Sequence, residues 1–272
     1  MTQPDPAEGL KYYPCRYDTS RIQFRGPRVS LDGPYTAVVG GSEVYGKYVD
    51  DPFTDQLAER TGRRVVNLGI LNGGLDAFVL DDGVLRVLAN AETVVVQAMG
   101  AHNMSNRYYT VHPRRNDRFL KQSSQMTQLF RDVDFSDFSF TRHMLSSLKA
   151  RSPGRFAKVE AELQKAWVAR MRLLFSRIPG KRVLLMIENN NDRGLGPEPL
   201  FVTIDMLQEL EGSIDRVVQC DVSDTMSDAS LDEMTFPEKE RDAAGQMLTP
   251  EGHARVAEAL AKAVRRSNGL AA

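Results

Sequence analysis

The chain has 272 residues, of which 42% are hydrophobic and 26% charged, with 35 basic against 36 acidic side chains. That near-neutral balance supplies no global field toward a nucleic-acid backbone or an anionic membrane, so neither is an expected partner. The length suits one hydrophobic core with an elaborated middle, and the longest apolar runs, Thr93 to Met99 and Val183 to Ile187, fall far short of the roughly 20 residues of a membrane span.

Residues 1–34 form a predicted arm packed on the domain, because periodicity is weak, turn formers are frequent and the stretch ends in Leu31-Asp32-Gly33-Pro34. Its start is polar and holds two prolines where a secretory leader would be apolar, so cytoplasmic residence is expected. The arm's tyrosines and arginines, Arg25 among them, cover a ligand or the sheet edge, and the pattern leaves both open.

A first strand, Tyr35 to Val39, runs into Gly40-Gly41-Ser42. Asp51 or Thr54 is placed to cap the next helix, which Gly62 stops. Val65 to Leu68 is a second strand leading into Gly69-Ile70-Leu71-Asn72-Gly73-Gly74, after which one helix is expected to carry Phe78, Leu80, Val84, Leu85 and Leu88. Strand three, Thr93 to Ala98, is a continuous apolar run suited to a sheet covered on both faces, and it empties into Met99 to Asn106.

A helical insertion is expected at about 107–177. It begins with the basic stretch HPRRNDRF and ends in a helix from about Pro153 to Arg177, whose Phe156, Val159, Leu163, Trp167, Met171, Leu174 and Phe175 make a core stripe. Strand four (Arg182 to Ile187), a helix near Ile204 to Leu210 and strand five (Arg216 to Cys220) precede a last helix, Pro250 to about Arg265, capped by Thr249. Cys15 and Cys220, far apart in sequence, read as free thiols. The alternation predicts an α/β fold, a three-layer α/β/α sandwich around a mainly parallel five-stranded sheet of flavodoxin-like type, with residues 35–272 as a single domain.

Ligands of such sheets bind beyond the carboxyl ends of the strands, which gathers the loops holding Ser42, Asn67 to Gly74, and His102 to Asn106 onto one rim. Ser42 after Gly40 and Gly41 is a nucleophile, an anion ligand or a plain helix cap, and spacing alone leaves all three open. A nucleophilic serine needs a base, and the histidines are His102, His112, His143 and His253. His253 opens the last helix, His102 sits on the strand-three loop, His112 lies in the basic stretch and suits an anion, and His143 is most simply structural. Their spacing matches no metal site, and no cofactor is expected. Asn103 and Asn106, or the N–H groups of Ser42 and Gly73, suit an oxyanion, as do Asn67 and Asn72 unless they only shape their loop.

Four stretches carry a resemblance to the SGNH hydrolase superfamily, the GDSL-type esterases and acetylhydrolases. They are TAVVGGSEVYGKYVDDPFTDQLAERTG, VVNLGILNGGLDA, VVVQAMGAHNMSN and QMLTPEGHARVAEALAKAV. The resemblance implies Ser42 as nucleophile, Gly69 or Gly73 as one oxyanion donor and Asn103 as another. Gly41 stands where the family has aspartate, and Met247 stands where it has the catalytic histidine, which leaves His253 or His102 as the base. Across most of its length the chain also resembles a family of alphaproteobacteria, especially relatives of Rhodobacter, through YYPCRYDTSRIQFRGPR, GGSEVYG, QAMGAHNMSNRYYTVHPRRNDRF and FTRHMLSSL.

The resemblance implies a serine-dependent ester hydrolase or acyltransferase acting on a small or glycan-like substrate. Arg114, Arg115 and Arg118, with His112, would select an anionic group, and Gly41, Gly69, Asn72 and Asn106 would complete the ligand contacts. The alternative is a non-catalytic SGNH-like domain that binds a ligand or protein through the same rim, having lost the usual histidine. Oligomeric state is left open.

Overall fold

The apolar runs fold as parallel strands, each followed by a crossover long enough to return the chain to the same edge. The computed structural model describes residues 9–190, 192 and 194–265; residues 1–8 of the expected arm and 266–272 of the expected domain lie outside them.

In chain order the elements are β1 (Thr36–Gly40), α1 (Ser42–Tyr45), α2 (Phe53–Thr61), β2 (Val65–Gly69), α3 (Leu75–Val79), α4 (Asp82–Ala89) and β3 (Thr93–Gln97). Next come β4 (Tyr109–His112), β5 (Arg115–Gln122), α5 (Ser124–Leu129), α6 (Thr141–Arg151) and α7 (Pro153–Phe175). The chain continues through β6 (Lys181–Glu188), α8 (Ile204–Gln208), β7 (Arg216–Asp221), α9 (Asp228–Asp232), α10 (Arg241–Ala244) and α11 (Pro250–Arg265).

Five strands form one sheet in the order β2-β1-β3-β6-β7, every neighbouring pair parallel. Alternate side chains along each strand feed two different cores, as strand pleating requires. On one face Ala37, Val39, Leu68, Val94, Val96 and Leu184 pack with α3, α4 and the Phe156-to-Phe175 stripe of α7. On the other, Val38, Val65, Val95, Val183 and Leu185 pack with Phe53 and Leu57 of α2 and Val256 and Leu260 of α11. The result is the expected three-layer α/β/α sandwich. Burial is continuous along β1, β2 and β3 but alternates along the edge strand β7, whose Val218 and Cys220 reach the second core.

Two local expectations need correction. The helix expected to run from Phe78 through Leu88 is two helices, because the Asp81 side chain accepts the Val84 N–H and starts a new one, leaving Leu80 exposed. Neither Asp51 nor Thr54 caps α2. Pro52 occupies the cap position with no side-chain bond, the Thr54 hydroxyl accepts from Asn67 Nδ2 at 3.0 Å, and the Phe53 N–H is satisfied by His253 Nδ1 at 3.0 Å. The insertion is helical as expected, carrying α5, α6 and α7, and its basic stretch adds a hairpin of β4 and β5, which form a separate antiparallel sheet.

Within the segment before β1, Tyr17, Ile22 and Phe24 join the first core. The buried Arg25 guanidinium donates to the carbonyls of Gly46 and Asp50, at 2.5 and 2.6 Å, and tethers the turn behind α1.

Candidate functional site

In the sheet order, β2 lies on one side of β1 and β3 on the other, so the chain reverses direction across the sheet at β1. The loops that leave the carboxyl ends of the paired strands β1 and β3 therefore diverge and leave a crevice, the usual place for a ligand in such sheets. A cleft of about 360 Å³ opens there. Its walls include Gly41 to Glu43 after β1, Asn72 and Gly73 after β2, and Gln97 to Gly100, His102 and Asn103 at and beyond the end of β3. Asp117 on β5, Thr141 and Arg142 on α6, Glu198 and Pro199 after β6, and Gln246 to Leu248 before α11 line it as well.

Ser42 begins α1, almost fully buried at 8% exposure. Its Oγ accepts the Asn72 N–H at 3.0 Å, and Asn72 adopts the left-handed conformation, with φ of 52°, that short amide side chains tolerate. Gln97 braces the turn: its Oε1 accepts the Gly41 N–H at 2.9 Å and its Nε2 donates to Glu43 at 3.0 Å.

Asn103 Oδ1 accepts from the Thr141 hydroxyl at 2.7 Å, which fixes which end of the amide is the oxygen. Gly74 is required beneath it, because a Cβ there would collide with the Asn103 carbonyl. Asn116, fully buried in the hairpin, accepts the Gly74 N–H at 2.8 Å and fixes that turn.

His102 lines the cleft, the one histidine to do so among the described residues. Its backbone carbonyl accepts from the buried Tyr109 hydroxyl at 2.7 Å, and the Met99 carbonyl accepts from Trp167 Nε1 at 2.7 Å. On the neighbouring loop after β6, Glu198 pairs with Arg142 and accepts the Leu200 N–H at 2.9 Å. Burial pushes the Glu198 carboxyl up, but the charges of His102 and Arg142 and these hydrogen bonds outweigh it and hold it below the usual glutamate value. Burial raises the Asp117 carboxyl against the pull of Arg115 and Arg118.

Other residues singled out in the sequence stand elsewhere. His253 is fully buried against Phe53, with ring centroids 5.7 Å apart, and burial drives its imidazole down to about 3. His112 Nδ1 accepts from the Arg114 and Arg115 N–H groups and shapes the hairpin turn. The Arg118 guanidinium stacks 4.2 Å from the Phe140 ring centroid. None of His112, Arg114, Arg115 and Arg118 lines the cleft. Asn106 closes its own loop, donating to the Met104 carbonyl and accepting from the Tyr108 N–H. The N–H groups of Gly69 and Gly73 are engaged, by Asn67 Oδ1 at 2.9 Å and the Ile70 carbonyl at 3.0 Å. Asn67 thereby holds the loop in shape. His143 is exposed and packs edge-on against Phe138.

Met247 lines the cleft, its side chain packed on the small cluster of Tyr48, Met234 and Phe236. Sequence reading missed Glu198, Arg142, Asp117, Glu43 and Gln97. The carboxyl-edge rule, applied only to the loops after the first three strands, extends equally to the loop after β6, where Glu198 stands between two prolines, whereas nothing in the pattern marks Arg142. Among the described residues, no group of three or more His, Cys, Asp and Glu side chains is placed to hold a metal ion, and no helix is long and apolar enough to cross a membrane.

The family described as Domain of unknown function (DUF6473) matches residues 1–268. No curated protein and no solved structure matches the chain.

Proposed function

The chain belongs to that family of unknown function, and we propose that it is an SGNH-type serine hydrolase or acyltransferase cleaving a carboxylic ester. The single observation that carries this reading is the convergence of Ser42, Asn103 and His102, from the ends of β1 and β3, on one cleft at the reversal of strand order. Ser42 attacks the acyl carbon. The Asn103 amide nitrogen and the Ser42 N–H, which has no acceptor within the first turn of its helix, receive the oxyanion. Gly73 contributes backbone shape, and its N–H stays with Ile70. His102, not His253, is the base, because His253 is buried behind α2.

The cleft's ionisable lining is Glu43, Asp117 and Glu198 together with Arg142 and His102. This supports an uncharged, hydroxyl-rich or glycan-like substrate over an anionic one, since the arginines of the hairpin lie outside the cleft. The proposal includes residues 35–272 as one SGNH-like domain with 1–34 as its arm, and kinship with alphaproteobacterial proteins.

A fluorophosphonate probe followed by intact-mass measurement tests the reading. One adduct per chain, lost in Ser42→Ala and kept in Ser105→Ala, is expected. Met247 in the cleft favours a second reading, a binding domain without catalysis; failure of probes of several sizes to label the protein would establish it over the first.

A further inference from the structure

We propose that Glu198 is the positioning carboxylate for His102, so that a pair drawn from the loops after β3 and β6 replaces the acid and histidine that Met247 displaces from the approach to α11. This rests on Ser42 as nucleophile.

The two loops are neighbours because β3 and β6 pair in register, Gln97 beside Leu185. Beyond the sheet they stay joined, the Ala98 N–H donating to Leu185 and the Ala101 N–H to the Leu200 carbonyl, at 2.8 and 2.9 Å. Gly100 permits a closer approach still. A Cβ there would lie 2.7 Å from His102 Nδ1 and 3.2 Å from the Leu200 nitrogen, and that same Leu200 N–H donates to Glu198 Oε2. The imidazole and the loop backbone that bonds the carboxylate thus meet at Gly100, where any Cβ would force one of them to shift. Arg142 holds the second Glu198 oxygen, Oε1, so the carboxylate is oriented from both sides. Tyr109 and Trp167 anchor the His102 loop from the opposite direction. The ionised state of Glu198 beside His102 agrees with this arrangement.

The proton inventory closes without a cofactor. His102 takes the Ser42 hydroxyl proton as the Oγ–carbon bond forms, and Glu198 stabilises the imidazolium. That proton passes to the ester's alkoxy oxygen as its bond to carbon breaks, releasing the alcohol. Water, or an acceptor hydroxyl, then gives a proton to His102 while attacking the acyl-serine. The same proton returns to Ser42 as the acid or new ester leaves. The other charged groups facing the cleft are Glu43 from α1, Asp117 from β5 and Arg142 from α6.

The test combines two measurements on the whole protein. Histidine side-chain NMR, with His102 assigned through His102→Gln, gives its titration midpoint. The fluorophosphonate rate at Ser42 is followed against pH. Glu198→Gln, which preserves size, is expected to lower the His102 midpoint by about one unit or more, shift the acid limb of the labelling profile with it, and slow labelling by about tenfold or more. Glu198→Asp restores part of the midpoint and rate, and it keeps the proposal testable if the glutamine variant does not fold. A His102 midpoint unmoved in Glu198→Gln, or a labelling profile superimposable on wild type, overturns the pair. A wild type that never labels overturns the serine reading instead, and the midpoint measurement still judges the pair.

Discussion

Replacing His253 with glutamine should make the protein more acid-tolerant while weakening it at neutral pH. In the folded chain the imidazole stays neutral down to about 3, against an ordinary value of 6.5, because it is fully buried and faces the positive charge of Arg25. Its Nδ1 accepts the Phe53 N–H, so a second proton would have to go on Nδ1 and break that bond. Between those two pH values the unfolded chain binds a proton that the folded chain refuses, so stability falls as pH falls. Each pH unit in that window costs about 1.4 kcal/mol, or about 3 kcal/mol by pH 4 and on the order of 5 kcal/mol by pH 3.

At neutral pH, His253→Gln loses the stacking on Phe53 and weakens the bond that caps α2, a penalty of about 2 kcal/mol. Equilibrium urea unfolding of both proteins from pH 8 to pH 4 should give stability curves that cross near about pH 5. The difference between wild type and variant subtracts every other titrating group that the two share. If that difference stays flat between pH 7 and pH 4, within about 0.5 kcal/mol, His253 is not a buried neutral imidazole and the reasoning fails.

The remaining predictions concern the cleft and its supports. Asn103→Ala should slow fluorophosphonate labelling of Ser42 by about 100- to 1,000-fold with an unchanged circular-dichroism spectrum. Gly74→Ala, which sets a methyl against the Asn103 carbonyl, should destabilise the fold by about 1–3 kcal/mol and reduce labelling as well, read by thermal melts alongside the same assay. Arg25→Lys should cost about 1–3 kcal/mol in urea unfolding, since one ammonium group cannot span the Gly46 and Asp50 carbonyls that the guanidinium holds.

The sheet was legible because β1, β2 and β3 are buried on both faces, and such strands must be nearly continuous apolar runs. The rim loops follow from topology, which puts Ser42, His102 and Asn103 on them. The hairpin was not legible. Its second strand, RNDRFLKQ, is mostly polar and pairs apart from the main sheet, so neither apolar alternation nor a glycine turn announces it. The part of His253 was hidden for another reason: it caps a helix 200 positions earlier in the chain, and local spacing carries no trace of such a contact. Glu198 and Arg142 sit 56 residues apart and meet only through tertiary packing. The resemblance suggested a serine site but placed its base in the last block, where Met247 stands.

Trp167 is the chain's single tryptophan, and its indole N–H is bonded to the Met99 carbonyl, three residues before His102. The long insertion helix therefore carries a built-in optical probe against the floor of the cleft. Any ligand that shifts the His102 loop must stretch or bend that bond, and the indole emission reports it without an attached dye. Native fluorescence thus offers a way to screen ester and glycan libraries before any reaction product has been defined.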